Sequence, residues 1–321
     1  MTTLKGLWGL KSPDARVRRA LLGLFLAAGA IGGTTLAYWL VAADGEADPS
    51  LMSSYRALVT YESAPKASSH DAIPDTPTLE SAIAWAQTSL GHVREIRDYT
   101  CTLIKRERVG DRLIGPHYMT VKVRQQPYSV YLQYTAPQSV RNQEAIYVEG
   151  RNDGKLLAHP TGIRHRIVGT VALKPTSAIA MRGNRHPITE IGLAVLVEKL
   201  IVLGRRDLAE GSAAELTTTR GVLMNDRPCT IIEVRHPQRT DGLEYHIARI
   251  FIDEQMVLPV RFEAFGWPAA SGEKPPLLEE YTYVDLKLNN GYTDADFDTA
   301  NPQYGFGRGT TPEIRTTAQN Q

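Results

Sequence analysis

From Tyr99 onward, apolar residues recur at every second position in one short stretch after another, and no other feature of the chain constrains its fold so strongly. Tyr99, Cys101 and Leu103 alternate with Thr100, Thr102 and Ile104. Met119, Val121 and Val123 alternate with Thr120, Lys122 and Arg124, and Tyr128, Val130, Leu132 and Tyr134 alternate with Ser129, Tyr131 and Gln133. Successive side chains of a strand point to opposite faces, so each stretch predicts a strand with one apolar face. Glu144–Glu149 and Lys155–His159 add two strands around an Asn152-Asp153-Gly154 turn. Glu215–Leu223, Pro228–His236, Tyr245–Asp253, Leu258–Phe265 and Leu278–Leu288 bring the set to about ten.

Two helical blocks interrupt this pattern. Thr76-Pro77 supplies an N-cap and a first-turn proline, followed by Leu79, Ala82, Ile83, Ala86, Leu90 and Val93 at helical spacing, with an end near Arg97. Pro187 to about Leu208 is apolar over much of its circumference, which places it against apolar surface on more than one side. Together the elements predict one α+β domain over residues 76–303. In it a strongly curved antiparallel sheet, an incomplete β-barrel, wraps around an N-terminal helix and a central helix. Helices that fill the concave face form a core; helices only at its mouth form a lid over a cavity.

Upstream, Ala20–Ala43 carries no charge and is long enough as a helix, at about 1.5 Å per residue, to cross a hydrocarbon layer of about 30 Å. Lys5, Lys11, Arg16, Arg18 and Arg19 precede it and Asp44, Glu46 and Asp48 follow, so residues 1–19 are expected in the cytoplasm and the rest outside it. This predicts a single-pass signal-anchor at 20–43 in a bacterial inner membrane, with the C-terminal domain in the periplasm. The alternative is a cleaved signal peptide, since Val41-Ala42-Ala43 suits a signal peptidase; the length of the apolar stretch and the Tyr38-Trp39 pair favour retention. Residues 44–75 read as a tether with a short helix around Ser53–Tyr61, and residues 304–321, rich in Gly, Thr, Asn and Gln, as a disordered tail.

Composition excludes several classes of function. With 36 Lys+Arg against 35 Asp+Glu there is no global charge to attract nucleic acid, and two cysteines cannot build a multi-cysteine metal module. No Gly-x-Ser-x-Gly, His-Glu-x-x-His or Cys-x-x-Cys occurs, so neither a catalytic centre nor a metal or cofactor is expected. Gly150–Lys155 has the wrong spacing for a phosphate loop and reads as a turn between strands. Asp294, Asp296 and Asp298 lack the Gly and Glu of a calcium loop and read as a capped turn before a short helix. Arg185 and His186, at the start of the central helical block, either contact an anionic headgroup or cap and orient that helix; with Glu190 they are also the best candidates for an enzyme site, though nothing places a nucleophile beside them. Cys101 and Cys229 fall on separate strands, where either a disulfide or two buried thiols is allowed.

The strand-rich region from Tyr99 to about Phe306 resembles the LolA/LolB-like superfamily of periplasmic lipoprotein carriers. It is also similar to an uncharacterised bacterial family of exported proteins catalogued as a domain of unknown function. The resemblance is carried by Val121-Lys122-Val123-Arg124, Pro127-Tyr128 and Ala136-Pro137, by Glu149-Gly150 with Lys155–Pro160, and by Ile252-Asp253, Leu258-Pro259, Tyr281–Leu288 and Phe297. It implies an incomplete barrel with a helical lid over an apolar cavity, and in Arg124 the nearest match to an arginine that contacts the lid in the carriers. The resulting expectation is a non-catalytic, membrane-tethered protein that binds an acyl chain, lipid or lipidated protein. The expected ligand-binding residues are Val121, Val123, Arg124, Tyr128, Val130, Leu132, Tyr134, Leu193, Val197 and Leu200. The competing expectation is a structural or sensory module of the cell envelope, its interior filled by the helices, that docks a protein.

Overall fold

The computed structural model describes residues 61–63, 77–161 and 169–307. The expected signal-anchor at 20–43, the basic segment before it, most of the tether and the chain beyond 307 lie outside the described residues. No helix among the described residues is long and apolar enough to cross a membrane.

In chain order the elements are β1 (Tyr61–Ser63), α1 (Leu79–Glu95), β2 (Asp98–Val109), β3 (Arg112–Arg124), β4 (Ser129–Ala136), β5 (Glu144–Val148), β6 (Leu156–His159), β7 (Val171–Leu173), α2 (Leu193–Ala209), β8 (Glu215–Met224), β9 (Arg227–Arg235), β10 (Ile247–Asp253), β11 (Leu258–Phe265) and β12 (Leu277–Leu288). All strands join one open antiparallel sheet in the order β1-β8-β9-β10-β11-β12-β2-β3-β4-β5-β6-β7. Two meanders, β2–β7 and β8–β12, are thus joined where the last strand pairs with β2. Side chains of α2 pack against β3 on one side and against β10 and β11 on the other, which requires the sheet to curve round the helix.

The ten strands expected from alternation are all present. The two additional ones, β1 and β7, have three residues each and form the two edges, where a short stretch carries too little pattern to be recognised. Tyr61, placed by the sequence reading at the end of a short helix, instead begins β1 on the edge of β8.

Both helices start later than their sequence suggests. Thr78 rather than Thr76 caps α1, in a reciprocal box with Ser81: the Ser81 amide donates to the Thr78 hydroxyl at 3.2 Å and the Thr78 amide to Ser81 Oγ at 2.9 Å. The block from Pro187 is not one helix. Ile188–Glu190 forms a single 3₁₀ turn, and α2 begins only after Gly192, whose φ of 140° and ψ of 154° suit glycine alone. A Cβ at Gly192 would lie 3.3 Å from the Tyr99 hydroxyl, which receives the Leu193 amide at 2.9 Å.

The apolar circumference of α2 faces two partners, as its sequence requires. Val197 and Ile201 pack with Ile83 of α1, while Leu196, Leu200 and Leu203 face Tyr245, Ala248 and Phe262 of the sheet region. Val121, Val123, Val130 and Leu193 belong to the main core under the start of α2. On the opposite face, Tyr131, Ile146 and Val148 are covered by Phe297, Tyr304 and Phe306. The tail expected from residue 304 therefore begins with residues that are packed: Tyr304 stacks on Tyr131 with ring centroids 3.9 Å apart, and the Gly305 amide donates to Glu144 at 2.7 Å. Residues 294–297 form the expected capped turn, with Thr293 as N-cap and Asp296 closing the box.

Cys101 on β2 and Cys229 on β9 are buried free thiols. β12, β11 and β10 lie between their strands in the sheet order, and the two thiols are not bonded to each other.

Candidate ligand-binding cavity

The helices fill only part of the concave face. Between α2 and the sheet a cavity of about 160 Å³ remains, walled by Leu103, Met119, Leu132, Leu156, Leu196 and Leu200 among others. That space suits an aromatic ring or a short run of methylenes, since an apolar cavity of about 150 Å³ accepts benzene. A longer chain requires α2 to move away from the sheet.

One end of the cavity is charged. Glu107, Glu279 and Lys105 occupy inward positions on β2 and β12, where Glu279 is the cross-strand partner of Glu107 and Tyr281 that of Lys105. Their parity is that of Tyr99, Cys101 and Leu103, so they share the apolar face and are buried with it. Tyr281 donates to Glu107 at 2.5 Å and lies 3.4 Å from Glu279; Tyr245 donates to Glu279 at 2.5 Å. Lys105 Nζ bonds Glu107 at 3.0 Å and Asn184 at 2.5 Å. Burial alone would raise the Glu279 carboxyl, but hydrogen bonds from His186 and Tyr245 and the charges of His186 and Arg185 outweigh it and hold the group below its ordinary value. Burial works against the Lys105 ammonium, and adjacent Glu107 more than compensates, so its pKa is raised. Burial is the main reason the Tyr245 and Tyr281 hydroxyls are pushed well up, with the neighbouring glutamates adding to it.

Arg185 and His186 serve this cluster. Arg185 Nε lies 3.1 Å from Glu279 and its amide donates to Glu107 at 3.0 Å. His186 Nε2 is 2.5 Å from Glu279 and Nδ1 is 3.0 Å from Glu190, with Lys199 Nζ 3.2 Å from the same nitrogen. Neither side chain caps a helix, because Pro187 and Gly192 hold the two N-cap positions. Both instead pin the segment before α2 to the sheet through carboxylates that the strand pattern alone did not single out.

Of the residues expected to bind ligand, Leu132, Tyr134 and Leu200 line the cavity. Val121, Val123, Val130 and Leu193 lie in the packed core beside it. Tyr128 fastens the segment before α2, its hydroxyl donating to the Ile191 carbonyl at 2.5 Å, and Val197 lies between the helices. Arg124 makes no contact of the kind expected with a lid. It pairs with Asp294 at 2.9 Å and Ser129 at 3.0 Å and sits over the Phe297 ring at 5.0 Å, holding the C-terminal segment instead.

The fold and this site define a class: an open antiparallel half-barrel whose helices leave part of an apolar interior unfilled. The chain belongs to the family described as Protein of unknown function (DUF1571), which matches residues 96–306. Among solved structures it is similar to the LolA superfamily protein NE2245 from Nitrosomonas europaea, at 14% identity over 66% of this chain and 97% of that one, with a TM-score of 0.28. It is similar also to the lipoprotein LppX from Mycobacterium tuberculosis, at 13% identity over 68% and 99% with a TM-score of 0.37. A third similar structure is that of MucB in the MucA/MucB complex of Pseudomonas aeruginosa, at 14% identity over 68% and 60%, also with a TM-score of 0.37. No curated protein matches the chain.

Proposed function

We propose that the protein is a non-catalytic extracytoplasmic binding protein, tethered to the inner membrane through residues 20–43, that holds an acyl chain, lipid or lipidated protein between α2 and the curved sheet. The observation that carries this reading is the unfilled apolar volume under Leu196 and Leu200. An interior built only for stability would be expected to close to normal packing density. The charged end of the cavity supports a binding role over catalysis, since Arg185 and His186 are already committed to Glu279 and Glu190.

The test is uptake of the lipophilic dye phenylnaphthylamine by the full chain in lipid-free peptidiscs. Its emission should rise on binding and fall when a long-chain lipid is added, and Ala158→Phe, at the cavity wall, should weaken uptake about tenfold or more. Dye uptake unaffected by Ala158→Phe would place binding elsewhere; no uptake at all would favour the filled structural module.

A further inference from the structure

A second, smaller cavity of about 100 Å³ lies on the other side of α2, between both helices and β9–β11. Trp85, Ile232 and Ile252 form part of its apolar wall, and Leu200, Leu203 and Tyr245 border both cavities. Three polar side chains interrupt the wall: Ser89 on α1, Asp207 near the end of α2 and His236 just after β9. They are 2%, 6% and 6% exposed, and Ser89 Oγ, Asp207 Oδ1 and His236 Nε2 have no hydrogen-bond partner. Buried polar atoms are nearly always paired, so Ser89 Oγ, which has no partner, beside an Asp207–His236 pair whose Asp207 Oδ1 lacks a hydrogen bond, calls for a ligand group.

Their chemistry selects that group. His236 Nδ1 lies 3.0 Å from the Tyr245 carbonyl oxygen, which can only accept, so Nδ1 carries a proton and Nε2 is the nitrogen that faces Asp207. Asp207 Oδ2 is 3.2 Å from Nε2, and the other nearby charges, Arg206 and Glu244, sit at the same end, with Arg206 3.6 Å from Asp207 Oδ1 and 3.4 Å from Glu244. However the proton between Asp207 and His236 is held, Asp207 Oδ1 accepts no hydrogen bond and faces Arg206 only at ion-pair distance, so it is open to a donor. We propose that this cavity seats a hydroxyl at the polar end of the apolar ligand, donating to Asp207 beside Ser89 and His236, while the chain passes Leu200 and Leu203 into the main cavity. This inference rests on the reading of the main cavity as a hydrophobic binding site. A carboxylate head would face the Asp207 carboxylate, and an ether would have no proton to donate. A long-chain alcohol and the glycerol end of a monoacyl lipid present the same hydroxyl.

The experiment titrates the full chain in lipid-free peptidiscs with 1-octanol, octanoate and methyl octyl ether, reading Trp85 emission with Trp85→Phe as the control. Binding of 1-octanol should be roughly tenfold tighter than that of the other two, the scale of one hydrogen bond to a charged group. Asp207→Asn and Ser89→Ala should narrow the gap to about threefold or less. If either variant fails to fold, the wild-type ratio decides alone. Tighter binding of monooctanoylglycerol than of 1-octanol assigns the hydroxyl to a lipid, and the reverse assigns it to an alcohol. Octanoate or the ether matching 1-octanol overturns the head-group assignment and leaves the hydrophobic site standing, as does failure of all octyl compounds while phenylnaphthylamine still binds. Failure of every probe overturns both.

Discussion

Glu279 is the residue on which the charged end of the cavity turns, because Arg185, His186, Tyr245 and Tyr281 all approach its carboxylate. Removing one partner of a buried charge cluster costs more than the cluster contributes, since the others are left desolvated. Glu279→Ala should therefore lower stability by about 3 kcal/mol, read as a shift of the urea midpoint with the slope unchanged. Because the folded carboxyl lies below its ordinary 4.5, this contribution is intact at neutral pH and fades only as pH drops below that value. His117 acts higher on the pH scale. It is buried beside Lys105, its cross-strand partner, and burial first and that charge second push it down to about 3 from 6.5. Between those values the unfolded chain binds a proton that the folded chain refuses, so stability should fall by about 1.4 kcal/mol per pH unit on acidification below 6.5. His117→Gln should flatten that part of the profile; an identical slope in the variant would contradict the assignment. Of these, Arg185 and His186 stood out in the sequence, whereas Glu279, Lys105, Glu107 and His117 did not, because a charged or polar residue in a strand ordinarily marks the solvent face. The available signal was parity: Lys105 and Glu107 continue the register of Tyr99, Cys101 and Leu103.

At the level of elements, the long strands were legible because their sequences alternate over seven or more residues, although β11 proves to be buried on both faces, Arg261 and Glu263 included. β1 and β7 were not, since three residues at a sheet edge acquire their conformation from pairing with β8 and β6. The start of α2 escaped for a different reason. Pro187 satisfies the local rule for a helix start, but the Tyr99 hydroxyl and the φ of Gly192 override it and set the first turn at Leu193. Gly192→Ala should cost about 1–3 kcal/mol through that strained conformation and the close approach to Tyr99. Chemical denaturation gives the energy, and amide exchange should show Leu193–Leu196 as the first part of α2 to lose protection; a neutral substitution would mean that the helix start is set elsewhere.

For the molecule as a whole, the curved sheet wrapped around two helices could be read from strand number and the two amphipathic blocks, and the cavity could be anticipated only as one of two outcomes. Whether α2 fills the concave face depends on how Leu196, Leu200 and Leu203 meet Tyr245 and Phe262 across more than forty residues of sequence, which periodicity does not encode. The answer is intermediate: the start of α2 is fastened by Tyr99 and Tyr128, while space remains beside Leu200. Such a helix, anchored at one end and bordered by cavities along its length, is expected to move as a lid when ligand enters. The most direct test of this account is native mass spectrometry of the full chain isolated from its own membranes in lipid-free peptidiscs. A discrete lipid-sized adduct, lost in Ala158→Phe with the folded charge distribution preserved, is the predicted result. A chain that remains free of adducts, both as isolated and after incubation with membrane lipid extract, would contradict it.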